Sequence, residues 1–289
     1  MPTFLHCTKY CILFFLLLPF QSTAQHVELF NHISNEVTTI PSKVLKEERS
    51  MYIHVPKRDS ANPDKAFPVL YLLDGENHFH IISAYIDYLS YYEIIPPIMV
   101  VGIISNDRRK DLTPTNSTLD YSGQVDSVLK TSGGNETFFK FLQLELIPYI
   151  ETTYKVEPYR IFAGHSFGGI TAINCLFTHP GIFNAYIAIS PSFWWDNKYI
   201  LKLAENKLGK SAHLNKKFFY SVGNEGINEP NSFHTDVLKF DSLMVNSAPK
   251  GLLYKYKSYP QESHMSEPIV AYYDALRFIY KDWEPPLKK

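Results

Sequence analysis

After residue 65 the apolar positions switch repeatedly between two patterns. Short unbroken apolar runs alternate with longer segments whose apolar residues recur every three or four positions. The runs predict strands at 50–55, 68–73, 98–105, 160–163, 185–190, 217–222 and 252–259. A fainter alternation at 37–40 predicts an earlier strand. Several runs lack any polar face, as expected of parallel strands covered by helices on both sides. Helices are predicted at 79–91, 137–152, 168–178, 198–208, 232–245 and 268–282. The second carries Phe138, Phe141, Leu142, Leu144 and Ile147 as a broad apolar stripe. Alternation of strand and helix implies an α/β fold with a mostly parallel sheet flanked by crossover helices. The longest loop, 106–136, is polar and rich in turn formers, the kind of segment that covers a binding site.

The first 24 residues follow another rule. Lys9 precedes the apolar run 11–20, and Ser22, Thr23 and Ala24 supply small residues before Gln25. This is the pattern of a secretory signal peptide cleaved after Ala24. The run is too short to span a bilayer, and Pro19 interrupts it. A single domain over 25–289 is expected, secreted or periplasmic, with no stable membrane insertion. Of the 3 cysteines, Cys7 and Cys11 would leave with the leader, so Cys175 alone remains. That excludes a disulfide framework and a multi-cysteine metal site. A formal net charge of -1 provides no field for binding nucleic acid. The 20 Tyr and 20 Phe suit a large core and pockets for flat or apolar ligands. Oligomeric state is not legible.

Candidate chemistry is concentrated where the strand 160–163 meets the helix 168–178. Gly164-His-Ser-Phe-Gly168 matches G-x-S-x-G, the nucleophile elbow. A sharp turn there lifts the Ser166 hydroxyl above the sheet edge, and side chains at Gly164 and Gly168 would collide across it. The helix N-terminus favours developing negative charge, and the N–H of Phe167 becomes one oxyanion donor.

The elbow fold orders its triad Ser, then acid, then His. Of the later histidines, His179 closes the elbow helix, His213 lies in a polar connection and His234 in a predicted helix. His264 follows the last strand and is the expected base. The acid should follow the penultimate strand, where Glu225 lies in Gly223-Asn-Glu-Gly226; Glu229, Asp236 and Asp241 are rivals. The second oxyanion donor is expected after strand 68–73, at the N–H of Glu76 or else of Gly75. Asp74 either braces that turn or touches substrate. His78 and His80 lack an accompanying carboxylate cluster, so no metal is assigned to them. No cofactor is required.

Four segments, Val69–Gly75, Asp111-Leu-Thr-Pro114, Gly164–Gly169 and Pro260–His264, resemble the esterase D family of α/β-hydrolases, also called the Putative esterase family. The resemblance runs from about Ser50 to Trp283. It implies an α/β-hydrolase fold and a serine esterase acting through an acyl-enzyme. Leu-Leu-Asp-Gly in such families precedes an oxyanion amide, and a Gly-x-x-Glu turn can supply the acid. Gly223-Asn-Glu225 is one residue shorter than that turn, and a Ser–His dyad suffices in some members. Around Arg108-Arg109-Lys110 the likeness is strongest to bacterial siderophore trilactone esterases. Arg108 and Arg109 can attract a carboxylate or catecholate, or form a solvated basic loop. Trp194 and Trp195 can wall an acyl pocket or pack in the core. The expected substrate is a small-molecule or oligosaccharide ester: a siderophore lactone, or a feruloyl or acetyl ester of polysaccharide. Transfer of the acyl group to an alcohol, and a hydrolase fold that only binds, remain open at this point.

Overall fold

Eight strands form one sheet in the order β1-β2-β4-β3-β5-β6-β7-β8. A computed structural model describes residues 36–57, 64–209, 213–225 and 233–285. The segment 1–24 lies outside them. The strands are β1 (Glu36–Ser42), β2 (Glu47–His54), β3 (Phe67–Leu72), β4 (Met99–Ile103), β5 (Val156–His165), β6 (Ala185–Ile189), β7 (Lys216–Val222) and β8 (Leu252–Ser258). The β1–β2 and β2–β4 pairs are antiparallel, and every pair from β4 through β3 to β8 is parallel. β3, β4 and β6 are buried at every position, which is why their sequences read as unbroken apolar runs.

The helices are α1 (Gly75–Tyr91), α2 (Arg108–Asp111), α3 (Asn135–Phe141), α4 (Ile147–Thr153), α5 (Phe167–Thr178), α6 (Trp195–Lys207), α7 (Phe233–Ser247) and α8 (Glu267–Ile279). Successive strand side chains point to opposite faces, so each face gathers its own core. Leu70 and Leu72 of β3 pack with Phe79 and Ile82 of α1 and with Tyr272 and Leu276 of α8. Val69 and Tyr71 face the other way, into the core built by α3 to α7.

Two sequence expectations change. The helix expected at 137–152 is present as one helical run, α3 to α4, but with a π-helical turn at Leu142–Leu146 inside it. Pro148 has no N–H to return to the carbonyl four residues back, so regular α bonding cannot run through that point. The loop 106–136 holds α2, a 3₁₀ turn at Ser127–Thr131 and a bridge between Leu119 and Val125. Polar bonds fasten it from within. Asn135 Nδ2 donates to the Asp111 carbonyl at 2.5 Å, and Thr171 Oγ1 to the Leu112 carbonyl at 2.9 Å. Asp111 also accepts from buried Arg49 of β2 at 2.5 Å. The Asp-Leu-Thr-Pro segment is therefore a structural anchor.

Because β4, β3, β5, β6, β7 and β8 are parallel, their carboxyl ends share one edge. The segments that follow them carry Arg108, Asp74, Ser166, Ser190, Glu225 and His264 respectively. An open parallel sheet binds ligands at this edge.

Candidate active site

Ser166 sits between β5 and α5 at φ 60°, ψ -114°, a backbone state that only a tightly constrained turn holds in a non-glycine residue. Three backbone bonds hold it: the Ser166 N–H donates to the Ile189 carbonyl at 2.9 Å, and the Ser166 carbonyl accepts from the Ile170 N–H at 3.1 Å and the Ser192 N–H at 3.2 Å. A Cβ on Gly164 would lie 2.4 Å from the Gly168 carbonyl carbon. Gly164 therefore makes the turn possible, as the spacing predicts. At Gly168 the nearest contact would be 3.3 Å, so that position is crowded but not closed.

Ser166, His165, His264, Asp74, His78 and Arg108 line one cavity of about 630 Å³, within the range of small-molecule sites. Its outer wall is apolar, with Ile81, Met265, Pro268 and Ile269. Met265 is 76% exposed, so the rim offers apolar surface to a ligand larger than the cavity.

His264 lies on the connection between β8 and α8. Its Nδ1–H donates to Glu225 Oε1 at 2.9 Å. That bond leaves Nε2 as the free ring nitrogen of the neutral imidazole, the atom a general base needs. Gly223 lets the two segments meet: a Cβ there would lie 2.8 Å from the Glu262 carbonyl oxygen. The Asn224 N–H donates to that same carbonyl at 2.5 Å. The shortened Gly-Asn-Glu turn thus still delivers its carboxylate to His264. Ser166 Oγ lies 3.0 Å from Ser192 Oγ. Among the described residues Ser192 is the side-chain partner of this hydroxyl, and no Ser166–His264 hydrogen bond is formed. Resting catalytic hydrogen bonds are often long or unmade and tighten with substrate.

His165 is buried, and its ring lies 4.4 Å from that of His264. Burial, reinforced by the neighbouring His264, pushes its pKa down to about 2. It stays neutral and does not compete with His264 for a proton. Burial also lowers the pKa of His78, which meets His165 edge-on at 5.7 Å.

The N–H groups of Phe167, Gly75 and Glu76 open α5 and α1, where a helix has no internal acceptor for them. Asp74 makes the bend before α1, at φ 53°. Gly75 is small because β4 runs against it: a Cβ would lie 2.5 Å from the Gly102 carbonyl carbon. Burial raises the Glu76 carboxyl above the usual carboxylate range, and the N–H groups of Glu76 and Gly75 both remain candidates for the second oxyanion donor.

The residues expected to bind substrate divide. Arg108 lines the cavity, but it forks onto Asp74, with Nε to Oδ1 at 2.5 Å and Nη2 to Oδ2 at 2.9 Å. Nη2 also reaches the His165 carbonyl at 3.3 Å. Its guanidinium carbon lies 5.2 Å from the Phe167 ring centroid. Asp74 and Arg108 together brace the elbow, and both also line the cavity. Arg109 is exposed and outside the cavity lining. Trp195 is fully buried, with its indole N–H on Thr115 Oγ1 at 3.2 Å. Trp194 packs on Phe167 at 5.7 Å and lines a separate cavity of about 290 Å³ with Tyr121 and Phe233.

Sequence reasoning missed four participants: His165, Ser190, Ser192 and Glu267. Ser190 Oγ hydrogen-bonds both Glu225 Oε1 and Glu267 Oε2. Glu267 opens α8, where an acid reads simply as complementing the helix dipole, and nothing in its spacing signalled a contact with Glu225.

The Putative esterase family model matches residues 42–221, from the end of β1 to β7. The chain belongs to this family. It is a carboxylic ester hydrolase of the α/β-hydrolase fold. The esterase is 26% identical over 247 residues to the ferri-bacillibactin esterase BesA of Bacillus subtilis, covering 80% of this chain and 85% of that protein. A siderophore enterobactin esterase of Emericella nidulans is 39% identical over 118 residues, 38% of each chain. Among solved structures, an IroE-like serine hydrolase from Shewanella oneidensis superposes with a TM-score of 0.81 at 32% identity, over 87% of this chain and 81% of its own. Among the described residues no helix is long and apolar enough to cross a membrane.

Proposed function

We propose that the protein is an exported serine esterase that opens siderophore esters through an acyl-enzyme on Ser166. The observation that carries this reading is the His264 Nδ1–Glu225 Oε1 bond of 2.9 Å at a cavity that His264 shares with Ser166. Ester binding displaces the Ser166 hydroxyl from Ser192 toward His264 Nε2. Ser166 Oγ attacks the carbonyl carbon as His264 takes its proton. Glu225 keeps the imidazole in the useful tautomer and stabilises the imidazolium. The oxyanion faces the N–H of Phe167 and that of Glu76 or Gly75. His264 then protonates the departing alcohol, and water activated by the same imidazole releases the acid.

Two further features support a bulky small-molecule ester. The cavity is open, with an exposed apolar rim at Ile81, Met265 and Ile269. BesA and the Emericella nidulans protein are named for siderophore ester substrates. Export rests on the leader pattern of residues 1–24, and a single domain is assigned to 25–289.

Hydrolysis of p-nitrophenyl acetate by wild type and by Ser166→Ala tests the nucleophile. Loss of about three or more orders of magnitude in the variant is expected. Equal turnover by the two proteins would overturn the serine reading. A panel of ferric trilactones, feruloylated sugars and acetylated xylan ranks substrates by kcat/KM. Preference for a sugar ester would move the assignment to polysaccharide deacylation.

A further inference from the structure

Ser190 is the junction of two carboxyl groups. Its hydroxyl contacts Glu225 Oε1, which also holds His264, and Glu267 Oε2. The Gly223 N–H donates to the same hydroxyl at 3.4 Å. Glu267 is fully buried; its second oxygen makes no hydrogen bond of normal geometry, and the buried Ser221 hydroxyl, likewise without one, lies beside the carboxyl. Ser190 itself is held at φ 39°, aimed between the two acids. A hydroxyl has one proton to donate. It cannot satisfy two carboxylates, and two buried anions sharing one donor repel each other.

The arrangement closes if one acid keeps its proton. Glu267 Oε2–H then donates to Ser190 Oγ, Ser190 Oγ–H donates to Glu225 Oε1, and Glu225 accepts from His264. The second Glu267 oxygen is then the carbonyl of a neutral acid, which costs less to bury than a carboxylate oxygen. Burial pushes the Glu267 carboxyl up to about 7, and the neighbouring Glu225 adds to the rise. The other groups facing Glu267 are Ser221 of β7, Tyr256 and Tyr259 at the end of β8, Tyr272 of α8 and His264. Burial raises all three tyrosines, so none adds an anion at neutral pH. His264, when protonated, is the one cation among these groups.

We propose that Glu267 is a positioning residue: held as the neutral acid, it sets Ser190 to donate to Glu225 and so keeps Glu225 ionised and aligned on His264. This rests on the Ser166–His264–Glu225 reading. Ionisation of Glu267 reverses the arrangement. Two anions then compete for one hydroxyl proton, Glu225 loses its donor, and the hold on His264 loosens. The esterase should therefore lose activity above about pH 7 through a group other than its base.

The test uses the full mature chain with p-nitrophenyl acetate, measuring kcat and KM from about pH 5 to 9. In Glu267→Gln the amide can donate to Ser190 but cannot ionise, so the basic-side loss should disappear. Glu267→Leu cannot donate; its kcat should fall by about one to two orders of magnitude with KM within about twofold. Ser190→Ala should give a similar fall. Carbon-13 NMR of glutamate-labelled Ser166→Ala protein, with the signal assigned through Glu267→Gln, reads the acid without turnover. A midpoint near 7 upholds the proposal; one at an ordinary carboxyl value overturns it, as does an unchanged basic limb in Glu267→Gln. Full activity in Ser166→Ala would instead remove the serine reading, and the positioning role with it, whatever the titration shows.

Discussion

Ser166 and Gly164 show how one residue's geometry is held by another's size. The strained positive-φ backbone of Ser166 survives because Gly164 lets the turn close on Gly168. Gly164→Ala forces a Cβ into backbone that cannot give way. Its cost should exceed the ~1 kcal/mol of an ordinary glycine replacement and reach about 3 kcal/mol. Thermal melting and the rate of p-nitrophenyl acetate hydrolysis should both fall; a melting point equal to wild type would refute the tight turn. Asp74 and Arg108 make a second residue-scale case. Asp74 is only 2% exposed, so Arg108→Leu strands a buried carboxylate and should cost about 3 kcal/mol. Adding Asp74→Asn should restore part of that loss in a double-mutant cycle measured by urea unfolding. Arg108 is partly exposed, which keeps the figure at the low end. The pairing of Arg108 with Asp74 was not legible in the sequence because the partner lies in a different βα turn, 34 residues away. Local reading carries no information about a pair of that separation.

At the scale of elements, strands and helices were legible wherever periodicity was strong. Seven strands lie where apolar runs predict them and β1 where the fainter alternation does, while β5 begins four residues earlier than predicted, at Val156, on a partly exposed stretch that no run marked. The breaks were less legible. A π-helical turn before Pro148 interrupts regular α bonding within one predicted helix, and Asp196, Asn197 and Lys198 near the start of α6 are all at positive φ. The loop over 106–136 is fastened to β2 by Arg49, which bonds Asp111 and Glu47. Arg49→Met removes the cation but leaves buried Asp111, and should destabilise the fold by about 3–5 kcal/mol. Limited proteolysis should then cut first within 106–136. Cleavage elsewhere, with this loop still protected, would show that Arg49 does not anchor it.

At the scale of the whole molecule, two buried groups oppose each other as pH changes. His165 has its pKa pushed down to about 2, so the unfolded chain takes up a proton that the native state refuses. Its contribution to stability is present above the unfolded value near 6.5 and is lost as pH falls. Glu267 is raised from 4.5 to about 7, so the native state keeps a proton that the unfolded chain releases. Its contribution is present below 4.5 and is lost as pH rises through about 7, by roughly 3 kcal/mol. Between these limits the two slopes have opposite sign, and stability should be flattest in mildly acid solution. Glu267→Gln should raise stability at about pH 8 relative to about pH 5, as read by urea midpoints against wild type. An identical pH dependence in the two proteins would show that Glu267 is not protonated in the fold.

The sequence alone determined the class of fold, the elbow and the order in which Ser166, Glu225 and His264 follow β5, β7 and β8. These depend on residues near one another or on strand order, and apolar period and turn chemistry report both. The tertiary structure decided how the edge of the sheet is wired. It paired Arg108 with Asp74, set Ser192 beside Ser166, laid His165 against His264, and joined Glu225 to Glu267 through Ser190. Each is a polar contact between separate crossover units, brought together only when parallel strands align their carboxyl ends. Such contacts are selected by burial and by the supply of protons and donors, and neither quantity exists until the sheet has formed.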